Sequence, residues 1–265
     1  MRLLSIPYWQ EIYSDCSGLV TDVAMKIGES YQSTRERIFF FVERVSKAVH
    51  NFFVNAYSLF VQSSPIIYSG AVGVKKTKQK ILFLNGSMYT HEGCKEAATK
   101  ISEIFKTKVD YLYIPMSISQ VIWWLVTGRE IEGSESLTNK IRESISKHEK
   151  KNLLVIVHSG GGVILDRAKR ELTGEERKKI DVVTIGSVRL FKEKDFHSVR
   201  NFAAQRDFVP GCSGLFSGAF FHDEGPVERV GPKWQFPLTS HEIYQPHYIE
   251  ALKSIKAQEE QAVKS

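Results

Sequence analysis

The sequence predicts an α/β fold built on a doubly wound, mostly parallel sheet, preceded by an N-terminal helical extension. Two patterns predict this: short apolar runs recur after residue 79, and helical patterns separate them. Strands buried on both faces have continuous apolar runs, and successive parallel strands need a crossover, usually a helix. At 265 residues the chain is long enough for one full-sized domain with an appendage.

The predicted strands and helices alternate along residues 79–265. The strands are expected at 81–84, 109–114, 153–157, 181–185 and 199–204. The helices are expected at 91–105, 134–148, 163–172 and 246–256. Helical crossovers between parallel strands are right-handed almost without exception, and a doubly wound sheet results.

Residues 1–78 are interpreted as a helical extension. Ser33 and Glu36 have the spacing of a capping box, and apolar residues follow at helical steps until Pro65 stops the pattern. Residues 51–74 carry no charge but include several polar side chains, which favours a helix packed on the domain or lying on a membrane surface over a membrane span. With no cleavable signal peptide evident, a cytoplasmic or peripherally membrane-associated protein is expected.

Charge and cysteine content narrow the class of protein. The net charge of +6 favours anionic neighbours such as phospholipid head groups. The lysines are scattered over helical segments, and no nucleic-acid-binding motif is present, so no nucleic-acid partner is expected. Three widely spaced cysteines, Cys16, Cys94 and Cys212, are too few for a disulfide framework or a zinc site and indicate a reducing compartment.

The segment 153–164 contains the candidate catalytic serine. An apolar strand runs into His158 and Ser159, then three glycines, then helical residues. A serine on a strained turn needs small neighbours, and Gly160 and Gly161 supply that clearance. The N–H of Gly160, at the start of the helix, can point at a developing oxyanion. A phosphate-binding loop is the alternative, but no Lys-Ser/Thr pair follows the glycines and no G-x-G-x-x-G spacing is present.

Residues 157–161, Val-His-Ser-Gly-Gly, resemble the nucleophile elbow of the α/β-hydrolases, G-x-S-x-G, with Val157 replacing the first glycine. With the Arg-Asp-Phe-Val-Pro loop at 206–210, they are similar to a group of uncharacterised α/β-hydrolase-like proteins known mainly from chlamydia-type intracellular bacteria. That group has a late histidine before a Pro-x-Tyr motif, here His241, Pro246 and Tyr248. The resemblance implies a serine hydrolase whose α/β-hydrolase-like domain spans residues 79–265, with no metal or organic cofactor.

The resemblance also implies an acid and a base in the order Ser, Asp, His. Asp207 follows the predicted strand 199–204, at the sheet edge where ligands bind; a surface aspartate paired with Arg206 is the alternative. The expected base is His241, on a loop before the terminal helix. His247 is better interpreted as a residue of the first helical turn.

The second oxyanion donor is expected in the loop after strand 81–84, as the backbone N–H of Ser87 or Met88. Trp123 and Trp124 could line or cap an acyl pocket, or belong to the core. The sequence therefore predicts an esterase- or lipase-like hydrolase that acts on a small-molecule or lipid ester through an acyl-enzyme. The alternative is a catalytically silent hydrolase fold that serves as a binding or membrane-docking module.

Overall fold

The computed structural model describes residues 66–74, 79–117, 120–121, 124, 133–146, 152–205, 207, 209, 225–232 and 243–262. The chain divides into two units, Met1–Phe60 and Val61–Ser265, and every described residue belongs to the second. The helix predicted from residue 33 to about 62 therefore lies outside the described residues.

Seven strands in the described part of the chain form one sheet. They are Tyr68–Val72 (β1), Lys80–Leu84 (β2), Val109–Tyr113 (β3), Leu153–His158 (β4), Ile180–Ile185 (β5), Ser198–Ala204 (β6) and Glu228–Val230 (β7). Their order across the sheet is β1-β3-β2-β4-β5-β6-β7. The edge strand β1 runs antiparallel to β3, and every other neighbouring pair is parallel.

Five helices are described between or after these strands. They are His91–Phe105 (α1), Ser134–Ser146 (α2), Gly161–Glu171 (α3), Gly174–Arg177 (α4) and Pro246–Ala262 (α5). Helix α1 starts where the Thr90 side chain accepts a hydrogen bond from the Gly93 N–H at 3.0 Å. None of the helices in the described ranges is both long and apolar enough to cross a bilayer.

The sheet is buried on both faces, as the apolar runs predict. Successive side chains of a strand point to opposite faces. In β2, Leu82 and Leu84 join the core cluster that includes α2 and α3, whereas Ile81 and Phe83 join the cluster that includes α1 and α5. Burial of each such side chain contributes about 1.5–3 kcal/mol. The predicted doubly wound, mostly parallel sheet is confirmed.

The first strand was not predicted. β1 lies before the expected domain boundary at residue 78, and it occupies part of the stretch 51–74 that was interpreted as a helix. As an edge strand it is largely exposed, so it lacks a continuous apolar run. Gly70 lies close against Tyr111 of β3, since a Cβ at Gly70 would be 2.5 Å from the Tyr111 hydroxyl oxygen. The sheet therefore begins at Tyr68.

Two short elements and one helix end also differ from the prediction. The three-residue β7 contains no apolar run, and the four-residue α4 is too short to show a helical period. Helix α5 continues to Ala262, six residues beyond the predicted end at 256. β7 matters for the site, because its Arg229 reaches the loop that follows β6.

Burial of Cys94 in α1 predicts a pH dependence of stability. Burial raises the pKa of the Cys94 thiol from its ordinary value near 9.0 to about 12. The thiol therefore ionises in the unfolded chain first, and its contribution to stability is lost as the pH rises from about 9 to about 12. At pH 10 this should lower the free energy of unfolding by about 1.4 kcal/mol.

Urea unfolding of the parent and the Cys94→Ala variant measures this effect, because all other titrating groups cancel in the difference. The difference between the two proteins should be constant up to pH 8 and shift against the parent by pH 10. A constant difference up to pH 10 would contradict the effect of burial on this thiol.

Candidate active site

Ser159 lies in the sharp turn between β4 and α3 with a left-handed backbone. Its φ is 51°, a conformation that costs a non-glycine residue about 1–2 kcal/mol. Its N–H donates to the Ile185 carbonyl at 3.2 Å, and its carbonyl accepts from Gly162 at 3.2 Å and Val188 at 3.1 Å. These three bonds hold the turn in place. Residues with a strained backbone of this kind cluster at functional sites.

Close backbone approaches surround the turn. A Cβ at Gly161 would lie 2.6 Å from the Asn85 carbonyl oxygen, and one at Gly162 would collide with the Ser187 hydroxyl. Across the turn, a Cβ at Gly86 would lie 2.6 Å from the Ser159 Cβ. Glycine is thus required where the loop after β2 and the loop after β5 pack on the elbow.

Val157 occupies the position where G-x-S-x-G has its first glycine. It is fully buried, pairs with Leu84 of β2 and Thr184 of β5, and belongs to the core cluster on the α2–α3 face. The missing glycine is therefore accommodated by ordinary core packing, and the close approaches fall on Gly161 and Gly162 instead.

Gly160 and the loop that carries Ser87 meet beside Ser159. Gly160 caps the start of α3, and a Cβ on it would collide with the Ser87 hydroxyl. Among the hydrogen bonds between described residues, none uses the N–H of Gly160 or Ser87. The N–H of Met88, by contrast, donates to the Met116 carbonyl at 2.9 Å. Of the two predicted donors, this arrangement favours Ser87, because no described residue accepts a hydrogen bond from its N–H.

Asn85 fixes the loop that carries Ser87, a role that no sequence pattern predicts. Its fully buried amide accepts from the Ile114 N–H at 2.8 Å and donates to the Ile114 carbonyl at 2.9 Å and the Gly86 carbonyl at 2.7 Å. The side chain thereby joins the ends of β2 and β3. In the sequence, Asn85-Gly86 looks like any strand-end turn, so no local signal distinguishes this role.

Asp207 lies at the same edge of the sheet as Ser159, after β6, and only 2% of it is exposed. One carboxylate oxygen, Oδ1, accepts from the Val209 N–H at 3.0 Å. The other, Oδ2, accepts from the Tyr248 hydroxyl at 2.9 Å. The Asp207 carbonyl accepts from the Arg229 guanidinium at 2.8 Å. Asp207 is therefore a buried, oriented carboxylate rather than a surface aspartate.

The expected base, His241, lies outside the described residues, so its role as the base for Ser159 stays a prediction. His247 is buried in the first turn of α5, with its ring centroid 4.5 Å from that of Tyr248. This placement agrees with its interpretation as a helix-start residue. His158, next to the serine, is buried and meets the Tyr89 ring edge-on at 5.5 Å.

Apolar side chains pack beside the elbow. Val121 and Met116 are buried, and a Cβ on Gly160 would lie 2.8 Å from Val121 Cγ2 and 3.0 Å from Met116 Sδ. Trp124 is 7% exposed and belongs to the same core cluster, which agrees with the core interpretation of this residue. Trp123 lies outside the described residues.

The chain has an α/β-hydrolase-like fold: helices cover both faces of a mostly parallel sheet, and a serine occupies the sharp turn after the central strand β4. Solved structures with this fold resemble it. A fungal esterase from Rhizomucor miehei is 12% identical with a TM-score of 0.47, and the match covers 89% of this chain and 92% of that one.

Two further solved structures are similar to this chain. A thermophilic carboxylesterase cloned from a metagenomic library is 12% identical over 86% of this chain and 97% of its own, with a TM-score of 0.45. The mouse alpha/beta hydrolase domain-containing protein 10 is 11% identical over 77% and 98%, with a TM-score of 0.43. No protein-family profile matches the chain, and no curated protein does.

Replacement of Gly161 by alanine should destabilise the protein. The added Cβ would meet the backbone carbonyl of Asn85, which cannot move without shifting β2, so we expect a loss of about 1–3 kcal/mol in the free energy of unfolding. Urea unfolding measures this loss.

Gly174→Ala is the matched control, because a Cβ at Gly174 at the start of α4 meets nothing within 4 Å. Its free energy of unfolding should stay the same or rise by less than about 1 kcal/mol. Equal stability of the two variants would show that the contact at Gly161 is not a tight one.

Proposed function

We propose that this protein is a serine hydrolase acting on carboxylic esters, with Ser159 as nucleophile, Asp207 as the orienting carboxylate and His241 as the base. The observation that carries the proposal is the left-handed backbone of Ser159, held between a strand end and a helix start with Ser87 packed against Gly160. Such a turn gives a serine a fixed direction and provides donors for an oxyanion.

The spacing of the strands supports a triad. Ser159 follows β4 and Asp207 follows β6, with β5 between them. Two strand spacings correspond to about 10 Å. An imidazole ring with a hydrogen bond of about 2.8 Å at each nitrogen spans about 8 Å, and the serine and aspartate side chains cover the remainder. A histidine reaching over the end of β5 would therefore meet both residues, and we propose His241, which precedes α5 in the sequence, for this place.

The proposed residues act in turn during the reaction. The Ser159 Oγ attacks the acyl carbon while His241 takes its proton, and the N–H groups of Gly160 and Ser87 stabilise the oxyanion. His241 then gives the proton to the leaving alcohol, which leaves an acyl-enzyme. Water attacks the acyl-enzyme with His241 again as base and releases the acid. Asp207 holds the imidazole and stabilises its charged form throughout.

The surroundings of the elbow favour an ester with an apolar acyl group. Met116 and Val121 lie beside Gly160, and the Met88 side chain next to Ser87 is 71% exposed. Apolar side chains around a few convergent polar groups are typical of sites for small organic ligands. We propose small-molecule or lipid esters as substrates on this basis.

Labelling with a fluorescent fluorophosphonate tests the proposal. The wild type should be labelled, and Ser159→Ala should abolish labelling because the attacking oxygen is gone. His241→Ala should reduce labelling to background, and Asp207→Asn should slow ester turnover by on the order of 10⁴-fold. The hydrolysis of p-nitrophenyl esters of graded chain length would then report the acyl preference.

Ser146→Ala is the matched control, since Ser146 is an exposed serine at the end of α2. Its labelling should equal that of the wild type. A folded wild-type protein that resists labelling would instead favour the catalytically silent binding module, and liposome binding would then be the property to measure.

A further inference from the structure

We infer that Tyr248 is a positioning residue of the site, whose hydroxyl fixes the carboxylate of Asp207 for its interaction with the base. This inference rests on the proposed function and assigns a role to the tyrosine of the Pro-x-Tyr motif. Three observations carry it: the burial of Tyr248, the two hydrogen bonds of its hydroxyl, and the attachment of the Asp207 loop to β7.

Tyr248 is completely buried in the first turn of α5, where its ring packs in the core cluster on the α1–α5 face. A side chain held this way has no rotational freedom left, so its hydroxyl occupies one position. Burial and, secondarily, the charge of Asp207 raise the Tyr248 pKa well above its ordinary value. The hydroxyl therefore stays protonated and remains a donor over the working pH range.

The hydroxyl makes two hydrogen bonds that fix its direction. It accepts from the Ala204 N–H, at the end of β6, at 2.9 Å. Its own proton is then directed to the Asp207 Oδ2, also at 2.9 Å. The strand end thus orients the hydroxyl, and the hydroxyl orients the carboxylate.

The rest of the Asp207 loop is held by two other groups. The Val209 N–H donates to Oδ1 at 3.0 Å, and the Arg229 guanidinium of β7 donates to the carbonyls of Ala204 and Asp207 at 2.9 and 2.8 Å. Arg229 contacts the main chain of the loop, whereas Tyr248 contacts the carboxylate itself. Among the described residues, Tyr248 is the side chain with a hydrogen bond to that carboxylate.

A carboxylate with one donor fewer changes the chemistry of the base. Without the Tyr248 hydroxyl, the Asp207 carboxylate has one donor fewer, so it stabilises a protonated imidazole more strongly. The acidic limb of the pH–rate profile should then move to higher pH. A residue that only supports the fold would leave that limb where it is.

The Tyr248→Phe variant tests the inference through the second-order rate constant of fluorophosphonate labelling between pH 5 and 9. We expect a rate at least about tenfold lower than that of the wild type, because misplacement of an orienting group slows the reaction, and an acidic limb shifted to higher pH. Tyr244→Phe is the matched control, since its hydroxyl bonds the Gly93 carbonyl, away from Asp207. Its rate and limb should match the wild type.

A second variant keeps the hydroxyl and changes the shape of the buried ring very little. Site-specific incorporation of 3-fluorotyrosine at position 248 makes the hydroxyl a stronger donor with almost the same ring. The stronger bond neutralises more of the Asp207 charge, so the acidic limb should move to lower pH, opposite to the shift in Tyr248→Phe.

The outcomes separate this inference from the proposed function. A labelled wild type with opposite shifts in the two variants supports both. If the wild type is labelled but the acidic limb of Tyr248→Phe does not move, the role of Tyr248 is overturned and the serine hydrolase proposal stands. If Tyr248→Phe does not fold, an unmoved limb in the fluorotyrosine protein has the same meaning. An unlabelled, folded wild type overturns the proposed function and this inference with it.

Discussion

The reversal of the chain at Ser159 is the constraint on which the rest of the site depends. A non-glycine residue with a φ of 51° is disfavoured by about 1–2 kcal/mol, and the surrounding backbone must hold it there. The bonds from Ser159 to Ile185, Gly162 and Val188 do so. They tie the turn to the end of β5, so the position of the serine is set by the sheet rather than by the turn alone.

The same turn determines which residues its neighbours can be. The loop after β2 passes so close that Gly86 contacts the Ser159 side chain, and Gly161 contacts the Asn85 carbonyl. A single methyl group at either place would push β2 and α3 apart. The buried Asn85 amide joins this loop to the end of β3, and Ser87 packs against Gly160. The packing around the strained serine therefore also brings together Gly160 and Ser87, the two residues proposed as oxyanion donors.

A second constraint comes from the buried carboxylate of Asp207. A carboxylate that is only 2% exposed needs hydrogen-bond partners, because burial of its oxygens without them is strongly unfavourable. Val209 and Tyr248 supply two donors to it, and Arg229 holds its backbone. These bonds join the terminal helix α5 and the short strand β7 to the end of β6. The two ends of the site thus rest on different strands of one sheet, and the parallel order of β4, β5 and β6 brings them to the same edge.

The sequence alone determined the features that arise from local patterns. Continuous apolar runs identified five buried strands, and the serine followed by three glycines identified the strained turn, since each signal depends only on neighbouring residues. The edge strand β1 and the polar β7 escaped detection, because exposed or very short strands need no apolar run. Only the tertiary structure decided that Val157 is tolerated and that the Met88 N–H donates to Met116. It also decided that Asn85 bonds to Ile114 and that Tyr248 bonds to Asp207. Tyr248 and Asp207 are 41 positions apart, and such contacts follow from the packing of whole elements, which no local pattern contains.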